Sequence, residues 1–206
     1  MNLQKYFNKI YCINLEFRKD RWAECVLEFE KWEISEQVIK FPAINGSYIQ
    51  NNYPISNGEL GLILTHEQIL QDAIDKNYES ILVIEDDVEF INKFSNLKEY
   101  IEALPLDWEM LWLGANHNIH CGNQLKLIND KIIKCRKAFA THCIAFNKRI
   151  YPTALKLIKN KEKPVDVYYS ELQQTHNCYA FHPSLAIQRP SYSDIQKQHQ
   201  DNRWLF

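Results

Sequence analysis

Glu85, Asp86 and Asp87 stand directly after the apolar run Ser80 to Ile84 (SILVI). Consecutive acids at the end of a buried strand are costly, because like charges repel and burial penalises each of them. The run is of strand length without alternation, the pattern of a central strand covered on both faces. Open α/β sheets gather their ligands outside the carboxyl ends of the strands, which is where the triplet falls. A hard divalent cation, Mg²⁺ or Mn²⁺, takes such oxygen ligands and shares the rest of its shell with phosphates. The plainer alternative is that Asp86 or Asp87 caps the next segment while Glu85 is solvated.

Other residues carry chemistry by type and position. Arg18 and Arg21 follow the first strand, where forked guanidinium donors reach a nucleotide, or else begin a solvated helix. His66 falls three residues after Ile63 and four before Leu70, so it shares their apolar helix face as a core residue or a ligand. Gly61, in the same helix, allows close packing. Trp108 and Trp112 share one face if both lie in one strand, for the core or for stacking on a sugar ring.

Positioning these groups takes alternating elements. Lys9 to Leu15 reads as a strand, Trp22, Val26, Phe29 and Trp32 have helical spacing, and Val38 to Phe41 is a second strand before the Asn45-Gly46 turn. Ser47 to Asn57 reads as a surface loop, and Ser56 with Glu59 makes a capping box opening a helix to about Asn77. After Ser80 to Ile84 come a helix from about Asn96 to Leu104, a strand from Trp108 to Leu113, and a hairpin of 125–129 with 132–135. Thr141 to Phe146 is a strand, Asn147 caps a helix toward Asn160, Val165 to Gln174 is a short helix, Cys178 to Phe181 a last strand, and the tail from Gln188 is polar. The pattern predicts one α/β domain over 1–206, an open, mostly parallel sheet with flanking helices and an antiparallel edge.

Composition bounds the partners. The chain has 206 residues, 46% of them hydrophobic and 24% charged, enough to bury a core. With 24 Lys+Arg against 26 Asp+Glu its formal charge is -2, which disfavours general nucleic-acid binding. No apolar run approaches the roughly 20 residues of a membrane span, and the start has no apolar segment of signal-peptide length, so the cytoplasm is the expected compartment. The six cysteines, Cys12, Cys25, Cys121, Cys135, Cys143 and Cys178, form no C-x-x-C pair and read as free thiols.

Four pieces in order carry a family resemblance: Ile13-Asn14-Leu15 with Arg18 and Arg21; Gly58-Glu59-Leu60-Gly61 with Thr65-His66; Ile84-Glu85-Asp86-Asp87-Val88; and Pro164-Val165-Asp166. Together they resemble glycosyltransferase family 25, which includes lipooligosaccharide and procollagen galactosyltransferases. The resemblance implies a GT-A-like fold, a UDP-galactose or UDP-glucose donor, a glycan or glycoprotein acceptor, inversion, and Mn²⁺ or Mg²⁺ on a D-x-D-like motif. In that reading Glu85 and Asp87 serve the metal with His182 as an extra ligand. Asn14, Arg18, Arg21, Asn45, His66, Glu85 and Asp86 face the donor, with Asn45 where relatives often have an acid. The segment from Gln188 to Ile195 returns over the nucleotide. Displacement at the anomeric carbon needs a carboxylate opposite the leaving group. Asp166 matches the family's acidic position and is the catalytic candidate, with Glu171 in reserve; its alternative role is a helix N-cap. Two rivals use the same residues: a metal-dependent phosphohydrolase, and a sugar-nucleotide or glycan-binding module without turnover. Acceptor choice is assigned to loops 47–57 and 115–123.

Overall fold

A computed structural model describes residues 2–117 and 125–201. Cys121 and most of loop 115–123 lie outside these residues; the other five cysteines are free and buried. Strands β1 (Lys9–Asn14), β2 (Ile39–Pro42), β3 (Ser80–Glu85), β5 (Met110–Trp112), β6 (Lys126–Leu127), β7 (Ile132–Lys134), β8 (Cys143–Asn147) and β9 (Cys178–Phe181) form one sheet. Its order is β2-β1-β3-β8-β5-β9-β7-β6. β1 pairs in parallel with β2 and β3, and β5 with β9, while the expected antiparallel edge is the β6–β7 hairpin against β9. β8 adds an antiparallel strand inside the sheet, between β3 and β5.

Five α-helices cover the two faces: α1 (Lys19–Lys31), α2 (Asn57–Asp75), α3 (Leu97–Glu102), α4 (Tyr151–Ile158) and α5 (Val165–Leu172). Side chains alternate across a strand. Ile81 and Val83 of β3 therefore pack with Ile63 and Leu70 of α2 and with Tyr168 and Tyr169 of α5. Leu82 and Ile84 pack on the other face with Cys25 and Phe29 of α1 and with Leu97 and Tyr100 of α3. The capping box of α2 is present, with Ser56 accepting from the Glu59 N–H and the Glu59 side chain accepting from the Ser56 N–H.

Three expectations change. β5 begins at Met110, so Trp108 precedes it and packs on the α1 face, whereas Trp112 is fully buried on the α2 face. The two indoles share no face, and Trp112 is closed to a sugar. Asn147 does not cap α4: its side chain accepts from the Arg149 N–H at 3.2 Å, and the helix starts at Tyr151 with Pro152 in its first turn, where a missing N–H costs nothing. The tail is not merely polar. β10 (Ala186–Gln188) pairs with β4 (Val88–Phe90), the strand just after the acidic triplet, and β11 (Ser191–Ser193) forms a hairpin with β12 (Gln198–Gln200). These strands are short and poor in apolar alternation, so only long-range pairing makes them visible.

Candidate active site

The carboxyl ends of β1 and β3 open into a cavity of about 740 Å³. Asn14, Arg21, Asn45, Glu85, Asp86, Asp87 and Asp166 all line it, as do Thr141, Gln188 and Asp194. Alternation along β3 points Glu85 to the α2/α5 face. There its Oε1 accepts from Thr141 Oγ1 at 2.5 Å, and its N–H donates to the His142 carbonyl at 2.9 Å. Asp86 serves the α1 side. It accepts from Asn14 Nδ2 at 2.6 Å and pairs with Arg21 at 2.5 Å, and the same guanidinium nitrogen lies 2.8 Å from Asp87. Gln188 Nε2 also donates to Asp87 at 2.9 Å, and the Arg189 N–H donates to the Asp87 carbonyl, so β10 locks the triplet from the tail side.

Two glycines bring the far wall close. A Cβ on Gly46 would lie 1.6 Å from the Asn57 carbonyl oxygen, and one on Gly61 would lie 2.4 Å from that of Ile44. Loop 43–47 is thus seated directly on the first turns of α2. Asn45 spends its side-chain oxygen on the Ser47 N–H at 3.0 Å.

Burial pushes Glu85 up to about 8, reinforced by the charge of Asp87, and pushes Asp86 up to about 6 against the pull of Arg21. Arg21, only 8% exposed, is charged: burial opposes that charge, and the carboxylates of Asp87, Asp86 and Glu85 outweigh it. One guanidinium does not satisfy the cluster, because Asp87 Oδ1 is buried without a hydrogen-bond partner. Hard oxygen donors with surplus negative charge fit a divalent cation, which Glu85 and Asp87 would hold. The fit is to a partial shell: among the described residues no group of three or more His, Cys, Asp or Glu is arranged to hold a metal.

Asp166, on α5, lines the same cavity. Its helix begins after Pro164, so Asp166 sits inside the first turn and is not the N-cap. Burial raises its pKa, while the N–H groups of Val167, Ala140 and Asp166 itself favour the carboxylate.

Not every expected residue reaches the cavity. His182, expected as an extra metal ligand, does not line it, and its N–H bonds the Lys131 carbonyl on the β7 side. Arg18 stands behind the wall, paired with Asp20 at 2.8 Å and with Asp194 of the tail. Asp194, part of the segment expected to return over the nucleotide, is thereby brought beside the arginines. Thr141 was missed, since a lone Thr at a strand start gives no periodic or charge signal; Gln188 was expected only as the start of the returning segment, not as a partner of Asp87.

His66 is a core residue. It is 0% exposed, with Nδ1 3.0 Å from the Tyr169 hydroxyl and its ring edge-on to Phe146. Burial lowers its pKa to about 4. A neutral histidine that protonates only when unfolded gives stability that is complete above the ordinary value of 6.5 and is lost as pH falls toward about 4. At full development this is worth about 3 kcal/mol. His142 and His117 have the same sign. The melting temperature is expected to fall between pH 6.5 and 4, and to fall less steeply in His66→Gln. An equally steep fall in that variant would remove His66 from the account.

Comparison with known proteins follows the same residues. Residues 7–164 match glycosyltransferase family 25 (LPS biosynthesis protein), a region that holds the triplet and ends two residues before Asp166. Mouse procollagen galactosyltransferase 2 is 31% identical over 129 residues, which are 52% of this chain and 21% of that protein. Human inactive glycosyltransferase 25 family member 3 is 28% identical over 129 residues, 52% of this chain and 22% of that protein. The chain thus spans about a fifth of the length of these relatives. Among solved structures, mouse xyloside xylosyltransferase 1 is similar over 86% of this chain and 82% of its own (TM-score 0.41, 9% identity). A glycosyltransferase involved in glycosylation of the major capsid of PBCV-1 is similar over 72% and 66% (TM-score 0.39, 14% identity). The fold itself is an α/β sheet with flanking helices and the acidic triplet at the carboxyl end of β3. With more than half its length matched, and the matched region carrying the acids and arginines that line or back the cavity, the chain belongs to glycosyltransferase family 25.

Proposed function

We propose that this protein transfers a hexose, galactose or glucose, from a UDP-sugar to a hydroxyl of a glycan or glycosylated protein, with inversion. The observation that supports this most is one cavity walled by Glu85, Asp86 and Asp87 on the β3 side and by Asp166 on the α5 side. Single displacement requires that opposition: a site for the leaving group and a carboxylate facing it. Asp166 takes the acceptor hydroxyl's proton as the new C1–O bond forms and the bond from C1 to the diphosphate breaks, the electron pair leaving with UDP. Asn14 and Asn45 border the donor's end of the cavity. Asp86 is committed to Asn14 and Arg21, so its role is to hold the end of β1 and the start of α1 against β3. A bound Mn²⁺ or Mg²⁺ at Glu85 and Asp87 would supply positive charge to the departing diphosphate.

A binding module without turnover is the second reading. It draws on Arg21, which already neutralises part of the triplet, and on the partial set of metal ligands. A sugar-nucleotide panel with Mn²⁺, assayed for UDP release, separates the readings. Release from UDP-galactose or UDP-glucose is the expected result. Donor binding with no release over the panel favours the module, and phosphate release from simple esters favours a phosphohydrolase. Activity is expected to vanish in excess EDTA and return with Mn²⁺. Full activity in EDTA would remove the cation from Glu85 and Asp87.

A further inference from the structure

In segment 138–142, Phe139, Ala140 and Thr141 line the cavity together with Asp166 and Glu85, while Ala138 and His142 are buried. It is tied at both ends and in the middle. At one end Gln173, which caps the carboxyl end of α5 and is 3% exposed, clamps Ala138 twice: its Oε1 accepts from the Ala138 N–H at 2.8 Å and its Nε2 donates to the Ala138 carbonyl at 2.7 Å. In the middle, the Trp112 indole N–H donates to the Ala140 carbonyl at 2.8 Å. Phe139 exchanges two backbone hydrogen bonds with Asn116. At the other end Thr141 donates to Glu85, and the His142 carbonyl accepts from the Glu85 N–H.

Ala140 itself has φ of 70°. A residue with a Cβ rarely adopts the left-handed region and does so where its surroundings hold it. The twist has a visible result. Around it the Ala140 N–H favours the charged form of Asp166, while the side chain of the next residue, Thr141, donates to Glu85.

We infer that segment 138–142 is a spacer that sets the two opposed carboxylates relative to each other, with Gln173, Trp112 and Thr141 as positioning residues. The inference rests on the transferase reading for its catalytic consequence, but the geometry it asserts does not. Helix α5 supplies Asp166 at its start and Gln173 at its end, so a single helix is stapled to the spacer at two points. Displacements of the order of 1 Å in such an arrangement cost about 10²-fold in rate. None of the three side chains touches the reacting atoms.

The test uses Trp112→Phe, which keeps an aromatic ring but deletes the N–H, and Thr141→Val with Thr141→Ser as its conservative partner. Two readouts are taken on folded protein: the Asp166 carboxyl titration by ¹³C NMR, assigned by difference with Asp166→Asn, and kcat and donor KM for transfer. Glu59 is the charged group that faces Asp166, and it is left unchanged. In Trp112→Phe the Ala140 carbonyl loses its tether, so the Ala140 backbone relaxes away from its left-handed conformation, its N–H withdraws from Asp166, and the Asp166 pKa is expected to rise and kcat to fall about 10- to 100-fold with donor KM within about twofold. Thr141→Val is expected to raise donor KM, and Thr141→Ser to restore it. An unchanged Asp166 titration in Trp112→Phe overturns the spacer, whatever the activity. A shifted titration in a protein that turns over no donor supports the spacer and sinks the transferase reading, so the two failures are distinct.

Discussion

Asp166→Asn is expected to lower kcat by a factor on the order of 10² to 10⁴ while UDP-sugar affinity barely changes. The amide cannot take a proton, yet it keeps an oxygen that accepts from the first-turn N–H groups that Asp166 now satisfies. Asp166 is not the N-cap of α5, so no cap is lost and the helix is expected to keep its melting temperature within a few degrees. Steady-state kinetics and donor titration on the same preparation check this. A silent substitution would leave Asp166 a first-turn carboxylate favoured by the helix dipole and would move the search for a base to Glu171. Glu171 is the weaker candidate on geometry: it pairs with Lys163 at 2.6 Å and does not line the cavity.

Arg21→Met is expected to destabilise the fold by about 3 to 5 kcal/mol, because it removes the one cation that meets both Asp86 and Asp87 and leaves two buried carboxylates uncompensated. For a chain of this size that is a fall of about 6 to 20 °C in melting temperature. The pH dependence has a definite sign. Asp86 already has a pKa raised to about 6, so the folded state holds its proton more tightly than the unfolded state does. Such a group costs stability above its folded pKa and recovers it as pH falls toward its ordinary value. Without Arg21 the upward shift grows. The deficit of the variant is therefore expected to be largest at pH 7 to 8 and to shrink toward pH 5, as read by thermal melts across that range. A deficit independent of pH would mean that lost packing of the Arg21 stem, not charge, carries the effect.

Local signals determined much of this protein. The continuous SILVI run made β3 a covered strand, Ser56 with Glu59 made the start of α2, and the order of motifs marked the family. Each is a property of neighbours in the chain: a hydrophobic run, a reciprocal cap, a set of spacings. The acidic triplet was legible as a site for the same reason, since adjacent like charges after an apolar strand demand an explanation wherever they occur.

Tertiary structure decided the assignments that depend on what stands opposite. His66 and Ile63 look alike in spacing, and only the packing of α5 shows that the histidine ring meets Tyr169 and Phe146 in place of a ligand. Arg21 reads from the sequence as a donor contact; only the fold of α1 against β3 shows that it also pairs with Asp86 and Asp87 in the cavity wall. Thr141 had no signature, and the tail was marked only by its resemblance to a closing segment; which groups they meet, Glu85 for Thr141, Asp87 for Gln188 and Arg18 for Asp194, could not be read because those partners lie 56 to 176 residues away. Sequence periodicity reports which face of an element is buried, not which distant group will fill the space against it; that choice is made by the sheet order, which carries β8 between β3 and β5 and brings Ala140 and Thr141 between the two carboxylates.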